Sequence, residues 1–150
     1  MLKRNKRKTS VKKKSLGKYA SGIEKYCATA LKDNGIPFDY EEQSYKLMDG
    51  FTFPHTYLKM TPKGKSMSDR TGHIQRPITY KPDFVGKKQE WVIETKGYLP
   101  SHHDFPMRWK LFLKYIVDNN LGCAVFLAKN KAQVDQAIIE ILKIQERNER

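Results

Sequence analysis

The chain is poor in cysteine: Cys27 and Cys123 are the only two in 150 residues. Two thiols cannot build a disulfide framework or a four-cysteine zinc site. They are read as reduced, buried thiols of a cytoplasmic protein. No apolar run approaches the roughly 18–20 residues a membrane helix needs. No apolar stretch follows the basic N-terminus, so no secretory signal is expected. There is no internal repeat. Acidic residues are also scarce, 16 against 29 Lys and Arg, for a net charge of +13. What is present is enough apolar residue (39%) for one globular domain of this length.

The basic excess is uneven. Residues 1–20 hold nine Lys or Arg and no acid, Lys12, Lys13 and Lys14 among them. Beyond them, 20 basic residues face all 16 acids. Such a polybasic arm neutralises phosphates and releases counterions. Nucleic acid is therefore the leading expected partner, ahead of an anionic membrane surface. Residues 1–20 are expected to be a flexible basic arm, and 21–150 the domain.

Within the domain, Ile23, Tyr26, Cys27, Ala30 and Leu31 have helical spacing, started at Ser21 and stopped by Gly35-Ile36-Pro37. Phe38 to Leu47 reads as one strand. Residues 49–77 are weakly patterned and read as a long basic loop insertion, carrying Lys59, Lys63, Lys65, Arg70 and Arg76. Ile78 to Val85 reads as a strand, Gly86 to Gln89 as a turn, and Glu90 to Lys96 as a second strand. An amphipathic helix is expected from Asp104 to Asn120, a buried strand from Cys123 to Ala128, and a last helix from Lys131 to Gln145. The order predicts an α/β domain with a small mixed sheet flanked by helices.

Asp83, Glu94 and Lys96 are the candidate chemistry. Two carboxylates meeting at one point can hold a hard divalent cation such as Mg²⁺. Such a cation polarises phosphoryl oxygens and activates water, and an ammonium nearby stabilises developing charge. Glu94 and Lys96, two residues apart, share a strand face. In an antiparallel hairpin, pairing Val85 with Glu90 puts Asp83 opposite Val92. Pairing Lys87 with Glu90 puts it opposite Glu94. Any even turn gathers all three on one face and an odd turn separates them. The opposite face would carry Tyr80, Pro82, Phe84, Trp91 and Ile93 as an apolar surface. The competing reading is a solvated outer face with a Lys–Glu pair.

Pro82-Asp83, ten residues, then Glu94-Thr95-Lys96 resembles the PD-(D/E)xK nuclease signature. Ser21-Gly-Ile-Glu24, Phe38-Asp-Tyr-Glu-Glu42, Tyr80-Lys-Pro-Asp-Phe84 and Val92-Ile-Glu-Thr-Lys-Gly97 occur in that order. Together they resemble the phage endonuclease I family of Holliday-junction resolving enzymes, over roughly residues 15–100. The resemblance implies a restriction-endonuclease-like core and a homodimer that cuts branched DNA with Mg²⁺ or Mn²⁺. It further implies protomers that exchange elements across a shared sheet, and the cytoplasm of a phage-infected host cell. It makes Asp83 and Glu94 metal ligands, Thr95 a ligand through its backbone carbonyl, Lys96 the catalytic lysine, and Glu24 the last member of the acidic cluster. Hydrolysis would leave a 5′-phosphate and a 3′-hydroxyl. From the residues alone, Ser21-Gly-Ile-Glu24 is a helix capping box, and the two roles of Glu24 are compatible. The chain departs from the family pattern in the longer segment between Glu42 and Tyr80 and in an extra C-terminal amphipathic helix. The inserted loop is a candidate DNA contact through Lys63, Lys65, Arg70 and Arg76. Two rivals stay open: a PD-(D/E)xK nuclease of restriction, repair or transposition type, and a non-catalytic nucleic-acid-binding module with a decayed site.

Other signals are set aside. Gly64-Lys65-Ser66 lacks the first glycine of a phosphate loop, since position 59 is lysine. His102-His103-Asp104 is read as an exposed loop, Trp109 and Phe112 as core, and at least one of Glu41 and Glu42 as exposed.

Overall fold

A computed structural model describes residues 17–97 and 103–150. Lys12, Lys13, Lys14 and the rest of the expected basic arm up to residue 16 lie outside the described residues, as does His102. Among the described residues the protein is mixed α/β, with three helices and a small mixed sheet.

Helix α1 (Gly22–Asp33) begins where the sequence places its cap: Ser21 is extended and its hydroxyl accepts the Glu24 N–H. It ends at Asn34, and Gly35 follows at φ +64°, a left-handed turn that favours glycine. Strand β1 (Phe38–Tyr40) is short. The expected strand from 38 to 47 is broken at Glu41, whose φ of +50° turns the chain, and resumes as β2 (Tyr45–Met48) in a different sheet.

The expected loop over 49–77 is instead a β-arm. Strands β2, β3 (Phe51–Thr52) and β4 (Leu58–Lys59) run out, and β5 (Ser68–Asp69), β6 (Ile74–Gln75) and β7 (Ile78–Tyr80) run back. They pair in nested antiparallel fashion, β2 with β7, β3 with β6 and β4 with β5. The pairing is interrupted, with a register shift between Lys46 and Met48. Both faces are largely exposed, so the residues show no burial alternation to read.

The expected strand from 78 to 85 is also two. β7 belongs to the arm, and after Lys81-Pro82-Asp83 the chain enters the main sheet as β8 (Phe84–Gly86). A proline cannot donate to a ladder, so it sits at the break between them. β8 turns antiparallel into β9 (Trp91–Thr95), and Gln89 at φ +55° closes the turn with its N–H on the Gly86 carbonyl, 2.8 Å. Helix α2 (Phe105–Asp118) then crosses to β10 (Ala124–Ala128), which lies parallel to β9. Helix α3 (Lys131–Asn148) closes the chain and runs three residues beyond the expected Gln145. Its cap is a reciprocal pair: Asn130 accepts the Gln133 N–H, and Gln133 accepts that of Lys129.

The main sheet has the order β1-β8-β9-β10. One face packs Phe84, Trp91 and Ile93 against α1 and α3, through Cys27, Leu31, Val134, Ile138 and Ile141. The other packs Val85 and Val92 against Phe112 and Ile116 of α2 and Tyr45 and Tyr80 of the arm base. Both faces are therefore covered, and β9, in the middle, is buried at every residue. The expectation of one apolar and one charged face holds only at its end, where Asp83 and Glu94 sit. Trp109 and Phe112 are core-facing, as expected. β10 was expected to be buried. It is a half-buried edge strand, with Leu127 46% exposed, because nothing among the described residues pairs its outer side. No helix is long and apolar enough to cross a membrane among the described residues.

Gly86 is required by close approach. A Cβ there would lie 2.6 Å from Nε1 of Trp91, a fully buried side chain. Gly86→Ala is expected to lower stability by roughly 1–3 kcal/mol through overpacking. Urea unfolding checks it, and an unchanged midpoint would show that the indole has slack.

Candidate active site

The β8–β9 register decides the site. Phe84 pairs with Ile93 and Val85 with Val92, the even-turn alternative that, continued one step, sets Asp83 opposite Glu94. Beyond the last β8 pair the ladder gives way to side-chain bonds. The Asp83 N–H reaches Glu94 Oε2 at 3.3 Å, and Asp83 Oδ2 accepts both the Thr95 N–H (2.8 Å) and the Thr95 hydroxyl (2.7 Å). On β1's side, Glu41 donates its N–H to the Asp83 carbonyl. Asp83 is thus fixed from both neighbouring strands. The N–H and C=O of an extended residue point to the same neighbouring strand, so the Thr95 carbonyl faces the Asp83 side as well.

Both carboxylates are buried, Asp83 at 9% and Glu94 at 3% exposure. Burial, and then the charge of Glu94, push the Asp83 carboxyl up to about 7. The Thr95 bonds oppose this rise, and the negative charge of Glu24 adds to it. Among the described residues no hydrogen bond reaches Asp83 Oδ1. Glu94 is more fully engaged. Its Oε1 pairs with Lys96 Nζ at 2.7 Å, and its Oε2 accepts the Tyr80 hydroxyl at 2.6 Å. Lys96 also lies 4.5 Å from the centre of the Phe105 ring, at the start of α2.

Glu24 forms the expected capping box with a variation. Its carboxylate accepts the Ser21 hydroxyl (3.0 Å) and the N–H of Ala20 (3.0 Å), the residue before the cap. Tyr40 donates to the same carboxylate at 2.6 Å. Burial and this bond hold the Tyr40 hydroxyl protonated well above its ordinary range. Glu24 therefore lies within electrostatic reach of Asp83 but is held by its own partners. Among the described residues no three His, Cys, Asp or Glu side chains are grouped as ligands for one metal ion. Asp83 and Glu94 come together as expected, and Glu24 is not brought into one ligand set with them.

Lys63, Lys65, Arg70 and Arg76, with Lys59, all lie exposed on the β-arm. Glu41 and Glu42 are exposed, and the described members of the histidine cluster, His103 and Asp104, are too. Asp104 pairs with Arg108 at 2.9 Å. Two residues escaped the sequence reading. Tyr80 was assigned to the apolar face but bonds Glu94. Its hydroxyl is held protonated by burial, and by the charge and hydrogen bond of Glu94. A buried tyrosine needs a polar partner, and that was the one signal available. Asp39 of β1, buried and paired with Lys87 and Gln43, gave none.

Compared with protein-family profiles, with curated proteins and with solved structures, the chain matches none of the three. The chemistry of the site therefore rests on its own geometry.

The donor set fits a hard cation. Asp83 and Glu94 offer carboxylate oxygens and Thr95 a carbonyl, and burial, with the charge of Glu94 beside it, raises the proton affinity of Asp83, which a bound cation would lower. Mg²⁺ is commonly held by one or two carboxylates, with waters and substrate phosphate completing its shell. Three carboxylates are not needed.

Proposed function

We propose that the chain is a Mg²⁺- or Mn²⁺-dependent DNA endonuclease with a restriction-endonuclease-like core, acting on branched DNA such as a Holliday junction, as a homodimer. The observation that carries the reading is the buried Asp83–Glu94 pair, set opposite one another by the β8–β9 register, with Lys96 on the same strand face as Glu94. The spelling Pro82-Asp83…Glu94-Thr95-Lys96 supports it from the sequence side. The homodimer and the branch preference rest on that resemblance, and a two-fold dimer suits two cuts on a two-fold junction.

Asp83, Glu94 and the Thr95 carbonyl would hold the cation. When bound, it supplies Lewis-acid polarisation of a phosphoryl oxygen and lowers the pKa of water. The chain's own groups do the rest. Thr95 fixes the Asp83 carboxylate through two bonds, and Tyr80 fixes Glu94. Lys96, already beside Glu94, places its ammonium where charge grows on the phosphate as a water oxygen bonds to phosphorus in line and the bond to the 3′ oxygen breaks. The attacking water gives up a proton to solvent, the leaving 3′ oxygen takes one up from solvent, and the 5′ side keeps the phosphate. Glu24 adds negative potential behind Asp83.

One observation favours a rival reading. Both Glu94 oxygens have partners within the chain, as in a buried polar lock. On that reading the chain is a nucleic-acid-binding module without catalysis. Cleavage of a four-way junction and of linear duplex of the same sequence, in Mg²⁺ and in Mn²⁺, separates the readings, with Asp83→Ala run alongside. Junction cutting that Asp83→Ala abolishes is the expected result. Equal cutting of both substrates would remove the branch preference. Binding without nicking in either metal would favour the module, and an Asp83→Ala protein that cuts normally would remove the site assignment.

A further inference from the structure

The β-arm carries a feature that the nuclease site does not use. Phe51, Phe53, Tyr57 and Gln75 line a shallow cleft of about 260 Å³. That is smaller than the roughly 300–1,000 Å³ of pockets for drug-sized ligands, and suits one flat ring. Phe51 is 49% exposed and shares the cleft with Phe53 and Tyr57, so the apolar surface there is contiguous rather than a lone ring. Phe53 meets Tyr57 edge-on, with ring centroids 6.0 Å apart at 84°, and His55 at 5.5 Å.

The cleft is held from behind by backbone bonds. The Phe53 carbonyl accepts the Gly72 N–H (3.1 Å), and the Tyr57 carbonyl accepts that of Arg70 (2.7 Å). The Tyr57 N–H donates to the Thr71 hydroxyl (3.0 Å). Gln75 donates its amide to the His73 carbonyl (3.3 Å), leaving its own carbonyl oxygen free of hydrogen bonds among the described residues. Around this apolar floor the arm is cationic. Residues 45–80 hold six Lys or Arg and two Asp. Asp49 is already paired with Lys46, and Asp69 accepts the Thr71 N–H. An exposed ring backed by half-buried ones, on a cationic strand pair, is a combination that binds unpaired nucleic-acid strands, rings stacking on bases and cations following phosphates.

We propose that this cleft takes one unpaired base of a DNA strand, with Phe51 as the stacking platform, Gln75 as acceptor for a base N–H, and Lys59, Arg70 and Arg76 on the flanking phosphates. The inference rests on the reading that the chain acts on DNA. It adds how an unpaired base near a branch would be chosen over continuous duplex. The arm meets the nuclease site directly, since β7 ends at Tyr80, which bonds Glu94. A base held on the arm would therefore sit on the strand leading to the site.

The test uses the full chain in EDTA, so that binding is read without cleavage. The probes are a labelled thymidine oligomer of about 12 nucleotides, the same chain with abasic sites, and blunt duplex, followed by fluorescence anisotropy. The wild type is expected to prefer the base-bearing oligomer over the abasic chain by roughly 5- to 150-fold, the range of base–aromatic stacking. Phe51→Ala should erase that preference and Phe51→Trp should keep it. Replacing Lys59, Arg70 and Arg76 together by alanine should weaken both single-stranded probes alike and flatten the salt dependence. Equal binding of base-bearing and abasic chains, or a Phe51→Ala protein with its preference intact, overturns the cleft while leaving the nuclease reading standing. Binding to none of the probes overturns the cleft, and junction cutting in Mg²⁺ then decides the nuclease reading separately. Base-dependent binding in a protein that never nicks a junction upholds the cleft and removes the nuclease.

Discussion

Asp83→Asn is expected to abolish strand cleavage while raising the melting temperature of the metal-free protein at pH 8. Asparagine keeps the shape of Asp83 and an acceptor oxygen for the Thr95 N–H and hydroxyl, but it carries no charge. The folded chain holds the Asp83 carboxyl up to about 7, against an ordinary 3.8, because it is buried and because Glu94 is charged beside it. Between about pH 4 and pH 7 the folded form therefore keeps a proton that the unfolded chain has released. Stability from that proton is present at low pH and is lost as pH rises through the window. Above it, the ionised pair costs the fold up to roughly 4 kcal/mol, and Asn removes that cost. The gain should be largest near pH 8 and vanish below pH 4, and scanning calorimetry in EDTA at both values reads it. Added Mg²⁺ should stabilise the wild type at pH 8 and leave Asp83→Asn unchanged. Cleavage should fall by roughly 10²–10³-fold or more, since a cation site is worth several kcal/mol of transition-state stabilisation. A lower melting temperature for Asp83→Asn at pH 8 would show that the pair is not in electrostatic conflict. A gain of stability on losing a charge, joined to a loss of activity, is how a functional site differs from a structural one.

The residues that make this site readable from sequence are those whose local rules agree. Ser21 and Glu24 announce the start of α1, and Gly35 its end, through backbone chemistry that needs no tertiary context. The parity of the Gly86–Glu90 turn reduces the Asp83–Glu94 geometry to two alternatives, and the observed Phe84–Ile93 pairing is one of them. The failures have a common cause. The arm from Tyr45 to Tyr80 is built of short pairings with most side chains exposed, so Leu58, Ile74 and their neighbours alternate against no core. Tyr80 was misassigned because an unbroken strand through Pro82 would set it beside Phe84. The break at Lys81-Pro82-Asp83 discards that parity, and Tyr80 joins Val85 and Val92 instead. β10 reads as buried because Val125, Phe126 and Leu127 are apolar, although only an outer neighbour would bury it. The aromatic cleft was missed because residues 49–77 read as a basic loop, in which Phe51, Phe53 and Tyr57 follow no period that would gather them. In the arm, no second layer among the described residues receives them.

Lys96 separates a structural from a chemical role most sharply. Its ammonium stands 2.7 Å from Glu94 Oε1, with side chains 19% and 4% exposed. Lys96→Met keeps the aliphatic stem against Phe105 and removes the charge. That leaves a buried carboxylate beside Asp83 without its cation, a change that typically costs about 3–5 kcal/mol. Glu94→Gln should cost less, because the lysine left behind can reach water. Combining the two should recover most of the stability, since Gln and Met share the space with no charge to bury. The non-additivity of this cycle, read by urea unfolding, measures the pair. Cleavage should follow none of this. Lys96→Met is expected to be slower by roughly 10²–10³-fold, the loss seen when one charge-stabilising donor is removed, and the stabilised double variant should be no faster. Lys96→Arg then asks whether charge alone suffices. Its planar fork can restore the pairing, and so the stability, without placing a compact ammonium at the phosphate. Stability regained without cleavage is the pattern of a catalytic lysine that also pairs with Glu94. Cleavage that rises and falls with stability across all four proteins would make Lys96 a strut and nothing more.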